Sequence, residues 1–335
     1  MGTSFLDVYR HFDGPLYIVV AKTFYNKNLI DALHLETDLS PAYFAAHLPL
    51  YPILISIFSF VGYLKSMLIV TVLSTVVLGG IVFFILKKLQ LTRHPLLLAA
   101  IFLFLPRFLV VRSVGSPESI FMGLILLSLF FFERKNYLLA GLFGALSCVT
   151  KTPGILLFPT YILTLAEQAW RTKSFKWSSL WILLIPVGLI VLFAFYFLQT
   201  GDFWAYFHTN AVVPMPYPFS VFNFNAQWVG TAWLEDVVIY FLLYTLVAIS
   251  LWKSNHRSFF YFTLIFLSAT IFVEHRDISR YSLPIWPMAI IAFEKFFTSK
   301  KFILALIILL PAIYLYAWNF MGYNVMPISN WAPYL

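Results

Sequence analysis

Ten apolar runs, each close to the length of a membrane-spanning helix, constrain what this chain can fold into. They cover residues 66–86, 95–112, 118–132, 137–151, 153–170, 178–198, 233–252, 257–273, 281–297 and 302–318. A spanning helix needs about 20 apolar residues, with a working range of about 17 to 25. Repeated so often in 335 residues, the pattern predicts an all-α polytopic membrane protein with about 10 spans. Composition excludes a soluble enzyme: 61% of residues are apolar and 11% charged, against about 45–50% and about 25% in soluble domains. Disorder is excluded too, because 37 Phe, 19 Tyr and 10 Trp must be buried in protein or lipid.

The net charge of +8 reports topology rather than nucleic-acid binding, because the basic residues form short clusters between apolar runs. Lys87, Lys88 and Arg93; Arg134 and Lys135; Arg171, Lys173 and Lys176; Lys253 and Arg257; and Lys295, Lys300 and Lys301 fall in alternate gaps, which the positive-inside rule makes cytoplasmic. Of the 14 acidic residues only Glu133, Glu167 and Glu294 share that side. One more apolar run, 48–64, breaks the alternation if it spans, so it is expected to lie in the interface or re-enter; were it to span, Asp13 would be cytoplasmic.

The expected layout is an outer piece 1–65, a bundle 66–318 with an aromatic outer loop 199–232, and an outer tail 319–335. An exported N-terminus ordinarily follows a signal peptide or a first transmembrane helix. Residues 1–13 have no apolar core, so the expectation is a preceding helix outside this sequence or translocation after insertion. The single Cys148 rules out an internal disulfide.

Charged groups near the middle of a span ordinarily mark ion or proton paths. Here only Arg107, after Pro106, approaches that position, so polar chemistry is expected at the outer boundary. Four segments carry it. Asp13 precedes a helix expected to be amphipathic (Leu16, Ile18, Val19, Val20, Phe24); its carboxylate suits a general base and equally an N-cap ahead of Pro15. Glu118, in Ser113-Val114-Gly115-Ser116-Pro117-Glu118-Ser119, can orient a hydroxyl or simply favour a helix N-terminus. Lys151, in Thr150-Lys151-Thr152-Pro153-Gly154, is a basic residue in an outer hairpin that can hold a lipid phosphate or merely snorkel. The turn Glu274-His275-Arg276-Asp277-Ile278-Ser279-Arg280-Tyr281 offers two guanidinium groups for phosphate, or for internal pairing with Glu274 and Asp277.

Metal ligands are not assigned. Glu36-Thr37-Asp38 is a carboxylate pair able to hold a hard cation, a spacing also common in ordinary loops, so Mg²⁺ or Mn²⁺ is left open as a cofactor. The aromatic loop, with Phe203, Trp204, Tyr206, Phe207, His208, Tyr217, Phe219, Phe222, Phe224 and Trp228, suits stacking on sugar rings or a membrane-interface belt.

Taken in order, these segments resemble the polytopic GT-C glycosyltransferases, most closely the PIG-V-type mannosyltransferases and their bacterial relatives. Phe12-Asp13 with Tyr17 is similar to the family's Trp-Asp followed by Tyr, with Phe in place of Trp. His47-Leu48-Pro49-Leu50-Tyr51-Pro52 resembles a Phe-Pro-Leu-Tyr-Pro segment, and Pro117-Glu118-Ser119 a Ser-Glu-Ser turn with Pro at its first position. Thr150-Lys151-Thr152-Pro153-Gly154 resembles Thr-Arg-Pro-x-Gly with Lys for Arg, and Arg280-Tyr281-Ser282-Leu283-Pro284 an Arg-Tyr-Leu-x-Pro element.

The resemblance implies a GT-C-type transmembrane helix bundle with amphipathic juxtamembrane helices in its first outer loop. It also implies a multi-pass enzyme of the bacterial plasma membrane that moves a hexose, mannose by closest likeness, from a polyprenyl-phosphate donor to a glycan, lipid or protein acceptor on the outer face, with inversion. Asp13 would be the base; Lys151, Arg276 or Arg280 would hold the phosphate; Glu118, Tyr17 and His275 would complete the pocket. The competing classes are a transporter or flippase of lipid-linked sugars, against which stand the few midplane charges and the absence of an evident repeat, and a noncatalytic GT-C-like subunit.

Overall fold

The computed structural model describes residues 6–11, 13–37, 39–209, 214–231 and 234–335. Helices make up its regular structure; among the described residues the only extended pairings are the isolated bridges His11 to Val325 and Pro214 to Val273.

Three helices are long and apolar enough to cross a membrane: Tyr63–Lys88 with 26 residues, and Trp177–Thr200 and Lys300–Tyr323 with 24 each. At 1.5 Å per residue the shortest reaches about 36 Å, more than a hydrocarbon core of about 30 Å. Tyr137–Cys148, Arg257–Ile271 and Leu283–Ala292 are shorter apolar helices. The protein is thus an integral membrane protein whose apolar runs become helices of unequal length.

Proline explains one of the breaks. Residues 95–112 divide into Pro95–Phe102 and Pro106–Val111. Pro106 disfavours a helical residue before it, and Leu105 is accordingly extended at φ −58°, ψ 127°. The last part of the 281–297 run is also divided, into Trp286–Ala292 and Glu294–Phe297.

Residues 48–64 fold as the eight-residue helix Leu50–Ile57 and a 3-10 turn at Ser59–Val61. That helix is about 12 Å long and cannot cross a bilayer. Gly62, at φ +88°, then turns the chain into Tyr63–Lys88.

The segment expected to be amphipathic, Gly14–Thr23, is buried on all sides: every residue except Lys22 is buried. Between Pro15 and Ala21 only Tyr17 carries a polar atom, and a helix apolar all round is stable only when enclosed. It shares a core with Phe44, Tyr51 and Ile55 and with Leu192, Phe193 and Tyr196 of Leu184–Thr200. A second, larger core joins Tyr63–Lys88, Glu118–Glu133, Tyr137–Cys148 and Arg257–Ile271.

Small residues let Tyr137–Cys148 and Leu184–Thr200 approach closely. A Cβ on Gly188 would lie 2.7 Å from the Ala145 Cβ, and one on Gly144 would lie 2.6 Å from Ile185 Cγ1. Such contacts drive helix association where lipid removes the hydrophobic incentive.

Candidate active site

Two glycines bring the first pair of candidate residues together. A Cβ on Gly14 would lie 3.3 Å from the Gly115 carbonyl oxygen, so the turn holding Asp13 and the turn leading to Glu118 touch backbone to backbone. Glu118 opens the helix Glu118–Glu133 and is 2% exposed.

A carboxylate so buried must be paired. Two cations do this on one oxygen: Arg280 Nε donates to Glu118 Oε1 at 2.6 Å, and Lys151 Nζ to the same atom at 2.9 Å. Lys151 stands in an extended residue between Tyr137–Cys148 and the 3-10 turn Thr152–Leu156. Arg280 belongs to the short helix Ile278–Tyr281. Burial opposes the Arg280 charge, but Glu118 and then Asp13 more than offset it, holding its pKa above the ordinary value. For Lys151 burial prevails over Glu118, Arg280 adds to the effect, and its pKa falls below the ordinary value.

Asp13 occupies the N-cap position of Gly14–Thr23, yet its side chain makes no capping hydrogen bond. The capping alternative is therefore met in position but not in chemistry. The carboxylate stays 44% exposed, with Oδ2 3.9 Å from Arg280 Nη1. Tyr17, one turn on, is buried with its ring edge-on to His47 at 4.8 Å and to Tyr51 at 5.0 Å. Tyr51 is anchored in turn, its hydroxyl 2.7 Å from Thr71 Oγ1 and donating to the Met67 carbonyl at 3.0 Å. Burial, then Glu118 and Asp13, push the Tyr17 phenol well up, so it stays protonated.

The 274–281 turn is held from below. Arg107, buried in Pro106–Val111, pairs with Asp277 and lies 4.0 Å over the Phe320 ring. The Asp277 backbone N–H donates to His275 Nδ1 at 3.0 Å, which makes that nitrogen the acceptor of a neutral imidazole. Burial lowers the His275 pKa and favours this form. The His275 ring lies 4.9 Å from Tyr281, whose ring is 5.9 Å from Lys151 Nζ.

The structure thus gathers Asp13, Tyr17, Glu118, Lys151 and Arg280, with His275 adjoining through Tyr281. Arg276 is exposed, and no contact joins it to Glu118 or Lys151 among the described residues. The internal-pairing alternative is corrected: Arg280 is engaged by Glu118, and Asp277 by Arg107. Phe12, the aromatic before Asp13, lies outside the described residues.

Sequence reasoning missed two residues. Arg107 stood out only as a charge after a proline. His47, inside the Pro-Leu-Tyr-Pro segment, is 3% exposed and its Nδ1 has no hydrogen-bond partner among the described residues. Its burial was not readable from that pattern.

A cavity of about 20 Å³, room for about one water, is lined by Glu118, Lys151, Arg280 and Tyr281. A larger hollow of about 370 Å³ lies between Glu36, Leu39, Met326 and Tyr334. Glu36 is occupied there by the Ser329 hydroxyl at 2.7 Å and the Asn330 N–H at 3.0 Å. Asp38 lies outside the described residues, and among those described no three His, Cys, Asp or Glu side chains gather as metal ligands. In the aromatic loop, Phe203, Trp204 and Phe207 pack on Phe193, and Tyr206 accepts from Thr152 at 2.9 Å beside Lys151.

No family model and no curated protein matches this sequence. Among solved structures the chain resembles ArnT from Cupriavidus metallidurans bound to undecaprenyl phosphate, with a TM-score of 0.60 at 14% identity over 91% of this chain. The fold is therefore ArnT-like. The chain spans 61% of the ArnT chain.

Proposed function

We propose that this protein is a membrane glycosyltransferase that moves a hexose, specifically mannose, from a polyprenyl-phosphate carrier to an acceptor hydroxyl, with inversion. The observation that carries the reading is Asp13: a carboxylate at a helix start, released from capping, with Arg280 3.9 Å away and Lys151 on the same buried Glu118. A general base needs such an uncommitted oxygen, and a departing phosphate needs such cations. The ArnT structure, bound to undecaprenyl phosphate, supports the donor class.

In the proposed reaction Asp13 takes the proton of the acceptor hydroxyl as its oxygen attacks the anomeric carbon. The bond from that carbon to the carrier phosphate breaks on the opposite side, and the phosphate leaves with the electron pair. Arg280 and Lys151 stabilise the growing phosphate charge, while Tyr17, Glu118 and His275 shape the pocket. Arg276 would reach the phosphate only once substrate is bound, and a divalent cation would assist if one is used. The positive-inside pattern supports an outward-facing site in a bacterial plasma membrane.

The test is transfer of labelled mannose from polyprenyl-phosphate-mannose in membranes holding the chain. Asp13→Asn at equal expression is expected to lose about 10²–10⁴-fold in rate. Unchanged transfer would remove Asp13 from the mechanism. Wild-type chain inert toward polyprenyl-phosphate hexoses, yet still binding undecaprenyl phosphate, would favour the noncatalytic reading.

A further inference from the structure

We propose that Tyr217, Asn223, Trp228 and Glu274 form a subsite for a neutral, hydroxyl-rich acceptor, a glycan. The proposal rests on the glycosyltransferase reading above.

The segment carrying three of these residues is fixed in place. Its backbone is pinned to the end of Arg257–Ile271, with the Met215 N–H donating to the Phe272 carbonyl and the Phe219 N–H to the Ile271 carbonyl, both at 2.8 Å. Trp228 Nε1 donates to the Val221 carbonyl at 2.9 Å, which sets the indole plane. The Tyr217 hydroxyl donates to Glu274 Oε2 at 3.0 Å, and Asn223 Nδ2 reaches both the Tyr217 oxygen at 3.0 Å and Glu274 Oε2 at 3.2 Å. A phenol, an amide, a carboxylate and an indole are thus held in place, with Tyr217 39% exposed and Asn223, Trp228 and Glu274 half-buried.

Position ties this wall to the charged centre. The Trp228 ring lies 6.3 Å from His275, His275 lies 4.9 Å from Tyr281, and Tyr281 faces Lys151.

Charge selects the ligand class. Residues 177–252 contain no Lys or Arg, so the segment carrying Tyr217, Asn223 and Trp228 brings no cation of its own for a phosphate. What remains are polar groups that exchange hydrogen bonds with hydroxyls, beside aromatic rings that pack on the apolar faces of a sugar. The wall therefore complements the cations: carrier phosphate on one side, acceptor hydroxyls on the other.

The experiment uses the full chain in detergent micelles, with saturation-transfer NMR on methyl α-D-mannopyranoside and a separate binding measurement on undecaprenyl phosphate. Wild type is expected to saturate the glycoside. Asn223→Asp and Glu274→Gln should weaken that signal at least about fivefold, at unchanged Tm and unchanged undecaprenyl-phosphate affinity, as expected from losing one polar contact. Equal saturation in both variants, or none in wild type that still binds undecaprenyl phosphate, would overturn the subsite while leaving the glycosyltransferase reading in place. Saturation of choline instead of the glycoside would also overturn it, making the wall an ammonium site. Failure of wild type to bind undecaprenyl phosphate would remove the glycosyltransferase reading and the subsite with it.

Discussion

Arg280 and Glu118 stand 162 residues apart in sequence and meet at 2.6 Å, in a pair 11% and 3% exposed. Lys151 completes the arrangement on the same oxygen. One carboxylate therefore holds two cations beside the open Asp13, and the electrostatics of the site depend on it.

Glu118→Gln tests that dependence. Removing the charge takes the counter-ion from the half-buried Lys151 and leaves Arg280 only its longer approach to Asp13 among the acidic groups described here as its partners, and breaking a buried pair in this way costs about 3–5 kcal/mol. The expected result is a lowered Tm in detergent together with lost affinity for undecaprenyl phosphate. A Tm equal to wild type would show that the two cations are balanced elsewhere.

Arg107→Met should destabilise for the reciprocal reason, leaving Asp277 without its buried partner at a cost of about 3–5 kcal/mol. The 275–281 turn should loosen with it, because Asp277 also holds His275 and, through its carbonyl, the Arg280 N–H at 3.0 Å. The double variant Arg107→Met/Asp277→Leu is expected to recover most of the lost stability, since a well-packed apolar pair can replace a buried ion pair. A double variant no more stable than Arg107→Met would place the cost in packing against Phe320 instead.

Acid should destabilise the fold through its buried histidines. Burial lowers the His11 pKa from 6.5 to about 4, against the opposing hydrogen bond from Nδ1 to the Met321 carbonyl. Between those values the unfolded chain binds a proton that the folded chain does not, so stability rises with pH there. The contribution is complete above 6.5 and is lost as pH falls toward 4, amounting to about 3 kcal/mol. His47 and His275, lowered chiefly by burial, act in the same direction. Thermal unfolding measured from pH 7 to 4 should show a decline that is shallower in His11→Gln; equal slopes would exclude His11 as a contributor.

Gly154→Ala should fail on space. The new Cβ would stand 2.5 Å from Ser147 Oγ and 2.6 Å from the Cys148 backbone nitrogen, and backbone cannot yield as a flexible side chain does. Overpacking of this kind costs about 1–3 kcal/mol. Because the glycine closes the turn carrying Lys151, undecaprenyl-phosphate affinity is expected to fall along with Tm. Unchanged affinity at a lowered Tm would separate the turn's stability from its function.

Local pattern determined much of this protein. Apolar run length and the scarcity of charge placed the chain in a membrane as helices, because both act within a few residues, whereas the run 95–112, read as one span, is broken before Pro106. The order of Asp13, Glu118, Lys151 and Arg280 between apolar runs also marked them as candidates before any fold was known. Their partners were another matter. Asp13 beside Pro15 reads as a cap, and only the folded chain shows that its carboxylate makes no capping bond. Arg280 had Asp277 close by in sequence, yet it pairs with Glu118, while Asp277 pairs with Arg107, 170 residues away. The helix Gly14–Thr23 was expected to be amphipathic and is buried on all sides. Periodicity and propensity are local and survive in the one-dimensional chain. Ion pairing and burial are set by which helix ends meet, and close approaches such as Gly14 to Gly115 decided that only in three dimensions.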